Sequence, residues 1–200
     1  MAAGLEFYAA YPMTPTTSLI DVIVEHPEVT FFQGEDEIAV AMAMLGARFA
    51  GKRAMCGTSG GGFALMTESV SFSHQSEIGG VYVVGQRDGP STGSPTFTAQ
   101  GDLSFVLNSG FGETTPAVLA PSTFEETYAM ISQALNQSDM YQHPLVFLID
   151  KQLAEGYKTI SEKELTTVPI NRGVKAVSEA EDTYLRYKVT PDGISPYAVP

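Results

Sequence analysis

The sequence predicts an α/β fold in which a mostly parallel sheet carries helices on both faces. Six short segments are apolar throughout rather than alternating, as is typical of strands covered on both faces. Longer segments with helical character lie between them, and such strand–helix alternation favours a parallel sheet. The chain has 200 residues and a mass of 21.4 kDa, which fits one domain with a core of its own.

The predicted elements follow one another along the first 150 residues. Strands are expected at residues 6–11, 29–33, 53–58, 81–86, 117–120 and 145–149. Helices are expected at residues 15–25, 36–49, 63–76 and 124–141. Two helix starts are marked: Thr14 is a candidate N-cap before Pro15, and the segment Ser122-Thr-Phe-Glu-Glu126 supplies a cap followed by acids in the first turn. The second helix is apolar on all sides over residues 38–46, so we expect it to be buried in the core or against a partner.

The chain changes character after Glu155. Residues 158–200 mix Lys, Glu, Thr and Pro with little periodicity. We therefore expect a domain over residues 1–157, followed by an extended arm or linker over residues 158–200. This arm is expected to lie over the domain or to lead into a further one.

The charge of the chain is low and unevenly distributed. Charged residues make up 17% of the sequence and the net charge is −12. Residues 1–150 hold 16 acidic and 4 basic side chains, and Arg87 is the single cation between Ala54 and Asp150. A shortage of cations argues against nucleic-acid binding, and no apolar run is long enough to span a bilayer. So little charge also indicates that part of the surface is covered by another chain.

The cysteine and histidine content narrows the chemistry further. The single cysteine, Cys56, excludes an internal disulfide and a cysteine-ligated iron–sulfur cluster. His26, His74 and His143 lack the spacing of metal ligands, so no metal site is expected on this chain. Together with the absence of a signal-peptide pattern, this composition favours a cytoplasmic protein.

Polar clusters follow four of the predicted strands. They cover residues 11–17, 33–37, 58–62 and 86–93. Because ligands of parallel α/β sheets collect outside the carboxyl ends of the strands, these four loops are the candidate site.

Two charged residues in these loops have a functional and a structural interpretation. Glu37 is the last acid before an apolar run, so it is either a buried carboxylate that exchanges a proton with a ring nitrogen or an acid that suits a helix N-terminus. Arg87 either binds a substrate carboxylate through the paired donors of its guanidinium group or forms a salt bridge with Asp88 or Asp102. The glycines at residues 60–62 fit a phosphate cradle or close backbone packing.

Five ordered motifs together resemble the α subunits of 2-oxoacid:ferredoxin oxidoreductases, most like the 2-oxoglutarate branch. The segment Tyr11-Pro-Met-Thr-Pro-Thr-Thr17 is similar to the YPITPS motif of that family. The other motifs are Gln33-Gly-Glu-Asp-Glu37 with Gly46-Ala47, Thr58-Ser-Gly-Gly-Gly-Phe-Ala-Leu-Met-Thr-Glu68, Gln86-Arg-Asp-Gly-Pro-Ser-Thr-Gly93 with Gln100-Gly-Asp-Leu103, and the ending Arg186-Tyr-Lys-Val-Thr-Pro-Asp-Gly-Ile-Ser-Pro196. The sequence departs from the family pattern at Gly61, where proline is usual, and at Asp88, where glycine is usual.

The resemblance implies the pyrimidine-binding domain of a thiamine diphosphate enzyme. It implies that Glu37 bonds the aminopyrimidine ring, and that Thr58, Ser59 and Gly60 also contact the cofactor. It further implies that Thr14 contacts the substrate and that Arg87 binds the substrate carboxylate, which makes Glu37, Thr14 and Arg87 the catalytic candidates. The implied reaction is oxidative decarboxylation of a 2-oxoacid to an acyl-CoA, with electrons passed to ferredoxin.

The resemblance also implies partners. This chain would hold only the pyrimidine half of the cofactor, because it lacks the family's Gly-Asp-Gly signature for diphosphate and Mg²⁺. A β subunit would carry the diphosphate site, the Mg²⁺ and the iron–sulfur cluster. Since ferredoxins are acidic, ferredoxin would dock on another subunit. Two other functions stay open: a non-catalytic assembly module, and a different thiamine enzyme of the decarboxylase or transketolase type.

Overall fold

The six predicted strands form one parallel sheet in this computed structural model, which describes residues 2–90, 94–176 and 184–199. The strands are β1 (Phe7–Ala10), β2 (Thr30–Gln33), β3 (Ala54–Ser59), β4 (Gly80–Gln86), β5 (Ala117–Leu119) and β6 (Pro144–Asp150). Their order across the sheet is β2-β1-β3-β4-β6-β5, and every neighbouring pair is parallel. All six carboxyl ends therefore meet at one edge of the sheet.

Helices cover both faces of this sheet, which confirms the predicted fold class. The helices are α1 (Thr17–Ile23), α2 (Glu37–Phe49), α3 (Gly60–Gln75), α4 (Leu103–Leu107), α5 (Phe124–Tyr141) and α6 (Lys151–Glu155). Alternate residues of one strand point to opposite faces. Accordingly, Tyr82 packs in the core with α2 and α3, whereas its neighbours Val81 and Val83 pack in the core with α1, α5 and α6.

The start of α1 differs from the prediction. The helix begins at Thr17, and neither Thr14 nor Pro15 caps it. The amide and the hydroxyl of Thr16 both donate to the Met13 carbonyl, at 2.9 Å each, so a turn precedes the helix. The predicted cap of α5 is confirmed within the segment Ser122–Glu126, and the structure identifies Thr123 as the cap, since its hydroxyl accepts from the Glu126 amide at 3.1 Å.

Helix α2 is not buried on all sides within this chain. Its Val40, Met44 and Leu45 lie in the core, but Ile38 is 51% exposed and Phe49 is 46% exposed. Leu65 and Phe72 of the neighbouring helix α3 are also exposed, and the rings of Phe49 and Phe72 lie 6.4 Å apart. We call this surface the α2/α3 apolar face; its members are Ile38, Met42, Phe49, Leu65 and Phe72. Across the described ranges, no helix is both long enough and apolar enough to cross a membrane.

The described part of the arm contacts the domain. A short parallel pair joins β7 (Lys175–Ala176) to β8 (Ala198–Val199) after a 3-10 turn at Glu162–Glu164. Tyr197 and Val199 are buried in the core beside α2, and the Tyr197 hydroxyl donates to the Arg48 carbonyl at 2.6 Å. The boundary between domain and arm at residue 157 stays a prediction.

A buried ion network lies between the domain and the arm. Asp139 of α5 pairs with Arg48 of α2 at 2.5 Å and with Arg53 at 2.6 Å, and all three side chains are almost fully buried. Arg172 of the arm lies 3.7 Å from Asp139 and pairs with Glu6 at 3.1 Å. One buried carboxylate thus lies within 4.0 Å of guanidinium groups from α2, from the start of β3 and from the arm.

Candidate active site

The candidate site lies next to β1, where the chain stops adding strands on one side of the sheet and begins to add them on the other. The chain passes from β1 outward to β2 and then returns to β3 on the other side of β1. Helix α1 therefore covers one face of the sheet and α3 the other, which leaves a crevice between the carboxyl ends of β1 and β3. Such crevices are where open α/β sheets bind ligands. Ser91, Thr92 and Gly93 of the fourth loop lie outside the described residues.

Glu37 is a largely buried acidic residue at the start of α2. It is the first residue of α2, directly after the N-cap Asp36, whose side chain accepts from the Ala39 amide at 2.8 Å. Glu37 is only 5% exposed. No residue in the described part of the chain donates a hydrogen bond to its carboxylate. Such a carboxylate can accept a hydrogen bond from a donor outside the chain.

Gly62 makes room for that carboxylate. A Cβ at Gly62 would lie 2.7 Å from the Glu37 Oε1 atom and 2.1 Å from the Thr58 hydroxyl. Real Cβ atoms do not approach other heavy atoms so closely. The absence of a side chain at Gly62 therefore allows Glu37 and Thr58 to meet over the first turn of α3.

Replacing Gly62 by alanine tests this contact. Alanine favours a helix by about 1 kcal/mol over glycine, but here its methyl group would displace Glu37 or Thr58. We expect Gly62→Ala to weaken thiamine diphosphate binding by about tenfold, which corresponds to about 1.4 kcal/mol. The matched control is Gly46→Ala in α2, because nothing lies within 4 Å of a Cβ at that position. Equal cofactor affinity in the two variants, measured by calorimetry, would contradict the steric role.

Thr58 and Ser59 lie at the end of β3, and both are fully buried. The Ser59 hydroxyl lies 2.6 Å from the Met13 sulfur, and the Thr58 hydroxyl lies 3.8 Å from the same atom. Met13 therefore joins the loop after β1 to the end of β3. The structure brings Thr58 next to Glu37, as the candidate site requires.

Arg87 and Thr14 form a second pair in the site. The Arg87 Nη1 atom donates to the Thr14 carbonyl at 3.0 Å. The loop that carries Thr14 is held against β4, since a Cβ at Gly85 would lie 2.6 Å from the Pro15 ring. Within residues 2–90, 94–176 and 184–199, no carboxylate oxygen lies within 4.0 Å of Arg87, so the salt bridge to Asp88 or Asp102 is not formed.

Asp102, which the sequence analysis names only as a possible partner of Arg87, lies beside the first turn of α3. Its carboxylate lies over Gly60, with Oδ1 2.3 Å from where a Cβ would stand. Burial raises the pKa of Asp102, and the positive charge of Arg87 opposes that rise in pKa. A carboxylate before the first turn of α3 would repel a phosphate there, so close packing explains the glycines better than a phosphate cradle does. The motif Gln100-Gly-Asp-Leu was the signal that could have pointed to Asp102.

The described residues give little support to a reactive cysteine or to a metal site. Cys56 is fully buried and burial raises the pKa of its thiol, so this cysteine packs as a small apolar residue rather than serving as a nucleophile. In the same ranges, no three side chains of His, Cys, Asp or Glu converge as metal ligands.

Comparisons with known proteins identify relatives over almost the whole chain. Residues 1–198 match the family described as pyruvate flavodoxin/ferredoxin oxidoreductase, thiamine diP-binding. The α subunit of 2-oxoacid:ferredoxin oxidoreductase 1 from Sulfurisphaera tokodaii is 38% identical over 98% of this chain and 34% of its own length. The 2-oxoglutarate synthase subunit KorA from Methanocaldococcus jannaschii is 39% identical over 74% of this chain and 42% of its own length.

A solved structure agrees with these relatives. The 2-oxoglutarate:ferredoxin oxidoreductase from Magnetococcus marinus, with 2-oxoglutarate, coenzyme A and succinyl-CoA bound, is 38% identical and superposes with a TM-score of 0.88. The match covers 100% of this chain and 35% of that one. The chain thus spans about a third of the length of the α subunit from Sulfurisphaera tokodaii and of this structure.

Proposed function

The chain belongs to the pyruvate flavodoxin/ferredoxin oxidoreductase family of thiamine diphosphate-binding domains, and we propose that it is the pyrimidine-binding part of an α subunit of a 2-oxoacid:ferredoxin oxidoreductase. The reaction is oxidative decarboxylation of a 2-oxoacid to an acyl-CoA, with electrons passed to ferredoxin. One observation carries this function: the buried Glu37 carboxylate has no partner in the described part of the chain and lies at the crevice between β1 and β3.

The residues around Glu37 fit the pyrimidine half of thiamine diphosphate. When bound, this cofactor would supply a nucleophilic carbon for the carbonyl group of a 2-oxoacid. Glu37 accepts a hydrogen bond from a ring nitrogen of the aminopyrimidine and holds or releases the proton on that bond. Thr58, Ser59 and Gly60 lie in the neighbouring loop at the end of β3, and Gly62 leaves room for the Glu37 side chain beside Thr58.

Arg87 and Thr14 form the substrate half of the site. Arg87 uses one donor on the Thr14 carbonyl, and its remaining donors suit the two oxygens of a carboxylate. The Thr14 hydroxyl is half-buried and makes no hydrogen bond to a described residue, so it is available to the substrate. The substrate is a 2-oxoacid of the 2-oxoglutarate type. The 2-oxoglutarate and coenzyme A in the Magnetococcus marinus structure support that choice.

The remaining parts of the enzyme lie on partner chains in the cytoplasm. A β subunit carries the diphosphate site, the Mg²⁺ and the iron–sulfur cluster, and ferredoxin docks on a subunit other than this acidic domain. The α2/α3 apolar face supports such a partner, because exposed apolar surface of this kind marks an interface.

Reconstitution tests this function. The α subunit and its candidate β subunit are co-expressed, loaded with thiamine diphosphate and Mg²⁺, and given coenzyme A, a viologen dye and a panel of 2-oxoacids. We expect dye reduction that depends on both the 2-oxoacid and coenzyme A. Decarboxylation without dye reduction would indicate a different thiamine enzyme. Failure to bind thiamine diphosphate with the β subunit present would indicate an assembly module.

Replacing Arg87 by leucine tests the substrate half. Loss of a charged hydrogen bond to the substrate carboxylate costs about 1–3 kcal/mol, so we expect KM for the 2-oxoacid to rise by about 5- to 150-fold. The control variant Lys163→Leu removes an exposed cation from the 3-10 turn of the arm and should leave KM unchanged. A KM for Arg87→Leu equal to that of the control would exclude the carboxylate contact.

A further inference from the structure

Glu68 is an exposed acid within an otherwise apolar surface. Among the described residues of helices α2 and α3, it is the single exposed Asp, Glu, Lys or Arg, because Glu37 and Arg48 are buried. It follows Leu65 by three residues and precedes Phe72 by four, so the three side chains share one side of α3. Leu65 and Phe72 are both exposed. A carboxylate therefore lies within the α2/α3 apolar face.

A recess of about 550 Å³ opens beside this carboxylate. Helix α3 lines one side of the recess with Glu68 and Phe72, and the connection between β4 and β5 lines the other with Phe111 and Glu113. The Ser71 hydroxyl accepts from the Phe111 amide at 3.0 Å, which fixes that connection to the helix. The recess is therefore formed by this chain alone, and two carboxylates and two phenyl rings line it.

The two carboxylates of the recess have no counter-charge in the described part of the chain. No Lys, Arg or His nitrogen there lies within 4.0 Å of a carboxylate oxygen of Glu68 or Glu113. Every Lys, Arg and His of the sequence belongs to the described ranges, so each of them is covered by this statement. His74 also lines the recess, but its Nδ1 atom contacts the His143 Nε2 atom at 3.0 Å. These carboxylates therefore attract a cation from outside the chain.

A second copy of this chain would not supply that cation. Two copies that met through this surface would each present Glu68, and neither would present an exposed Lys or Arg from α2 or α3. Burying carboxylates in apolar surface without an opposite charge is costly. Arginine suits the recess for two reasons. Its guanidinium pairs with a carboxylate through parallel donors, and it also stacks on the face of an aromatic ring.

We propose that the recess beside Glu68 receives an arginine side chain from the partner subunit that covers the α2/α3 apolar face. Phe72 belongs to both surfaces, so a partner on that face also reaches the recess. The guanidinium pairs with Glu68 and packs against the rings of Phe72 and Phe111. Arginines in such pockets contribute a large share of the binding free energy of an interface. The inference rests on the proposed function for the identity of the partner, which is the β subunit.

The affinity of the α subunit for its candidate β subunit, measured by biolayer interferometry, tests this contact. Glu68→Gln removes the charge and keeps the shape, so we expect Kd to rise by at least about tenfold. Glu68→Arg brings two cations together and should raise Kd by at least about 100-fold. The matched control is Asp21→Asn, which neutralises an exposed acid of α1 on the opposite face of the sheet. Its Kd should stay within about twofold of the wild type.

The outcomes distinguish this contact from an ordinary surface charge and from the proposed function. Equal Kd values for Glu68→Gln and Asp21→Asn overturn the arginine contact. A lower Kd for Glu68→Gln also overturns it, because removal of an unpaired charge from an apolar interface would have that effect. Failure of the wild-type subunits to associate overturns the contact together with the partner. A complex that shows the expected Kd changes but does not oxidise any 2-oxoacid contradicts the proposed function and supports the contact.

Discussion

Replacing Glu37 by glutamine is expected to lower kcat of the assembled enzyme by about 100- to 10,000-fold, the range that a positioned acid–base group contributes. The amide has almost the same shape as the carboxylate but cannot accept a proton. Since Glu37 is 5% exposed and no described residue donates to it, no neighbour in those ranges can take over its role. The measurement is dye reduction by the complex at saturating 2-oxoacid, coenzyme A and thiamine diphosphate.

Glu35→Gln is the matched control for this variant. Glu35 is an exposed acid two residues earlier in the same loop, and its replacement changes the net charge by the same amount. We expect kcat of Glu35→Gln to stay within about twofold of the wild type. A Glu37→Gln enzyme with a comparable kcat would show that the buried carboxylate takes no part in the reaction.

Replacing Asp139 by alanine is expected to destabilise the chain by about 3–5 kcal/mol, because it leaves buried guanidinium groups without a counter-charge. Arg48 and Arg53 are each about 1% exposed or less, so water cannot replace the lost carboxylate. Arg172 of the arm also loses an opposite charge 3.7 Å away. The arm should therefore become more susceptible to proteolysis in this variant.

Urea unfolding followed by circular dichroism measures the destabilisation. The control is Asp21→Ala, which removes an exposed acid from α1 and should change the free energy of unfolding by less than about 0.5 kcal/mol. A loss in Asp139→Ala below about 1 kcal/mol would contradict the view that this network holds the arm and the domain together.

The sheet and the long helices could be predicted from the sequence because their signals are local. Each strand is a continuous apolar run, and α5 begins at a recognisable cap, Thr123. The helices α4 and α6 have only five residues each, too few for a helical period to show. The start of α1 could not be placed, because Pro15 packs against Gly85 of a distant strand instead of entering the helix.

The candidate site was predictable as far as chain topology determines it. Polar loops that follow parallel strands must meet at one edge, which brought Glu37, Thr58 and Arg87 into a single hypothesis. The roles of Gly60 and Gly62 depend on side chains from other loops, at Asp102 and Glu37. The Asp139 network likewise joins residues more than 80 positions apart, so no local pattern could reveal it.

Thiamine diphosphate affinity, measured by calorimetry, tests most directly whether Glu37 forms the pyrimidine half of a shared cofactor site. The titrations compare the α chain alone, the α–β complex, and complexes that carry Glu37→Gln or Glu35→Gln. We expect no measurable binding to the α chain alone and tight binding to the wild-type and Glu35→Gln complexes. In the Glu37→Gln complex the affinity should fall by at least about tenfold, the equivalent of one charged hydrogen bond. Equal affinity in the Glu37→Gln and wild-type complexes would contradict the assignment of Glu37 to the cofactor.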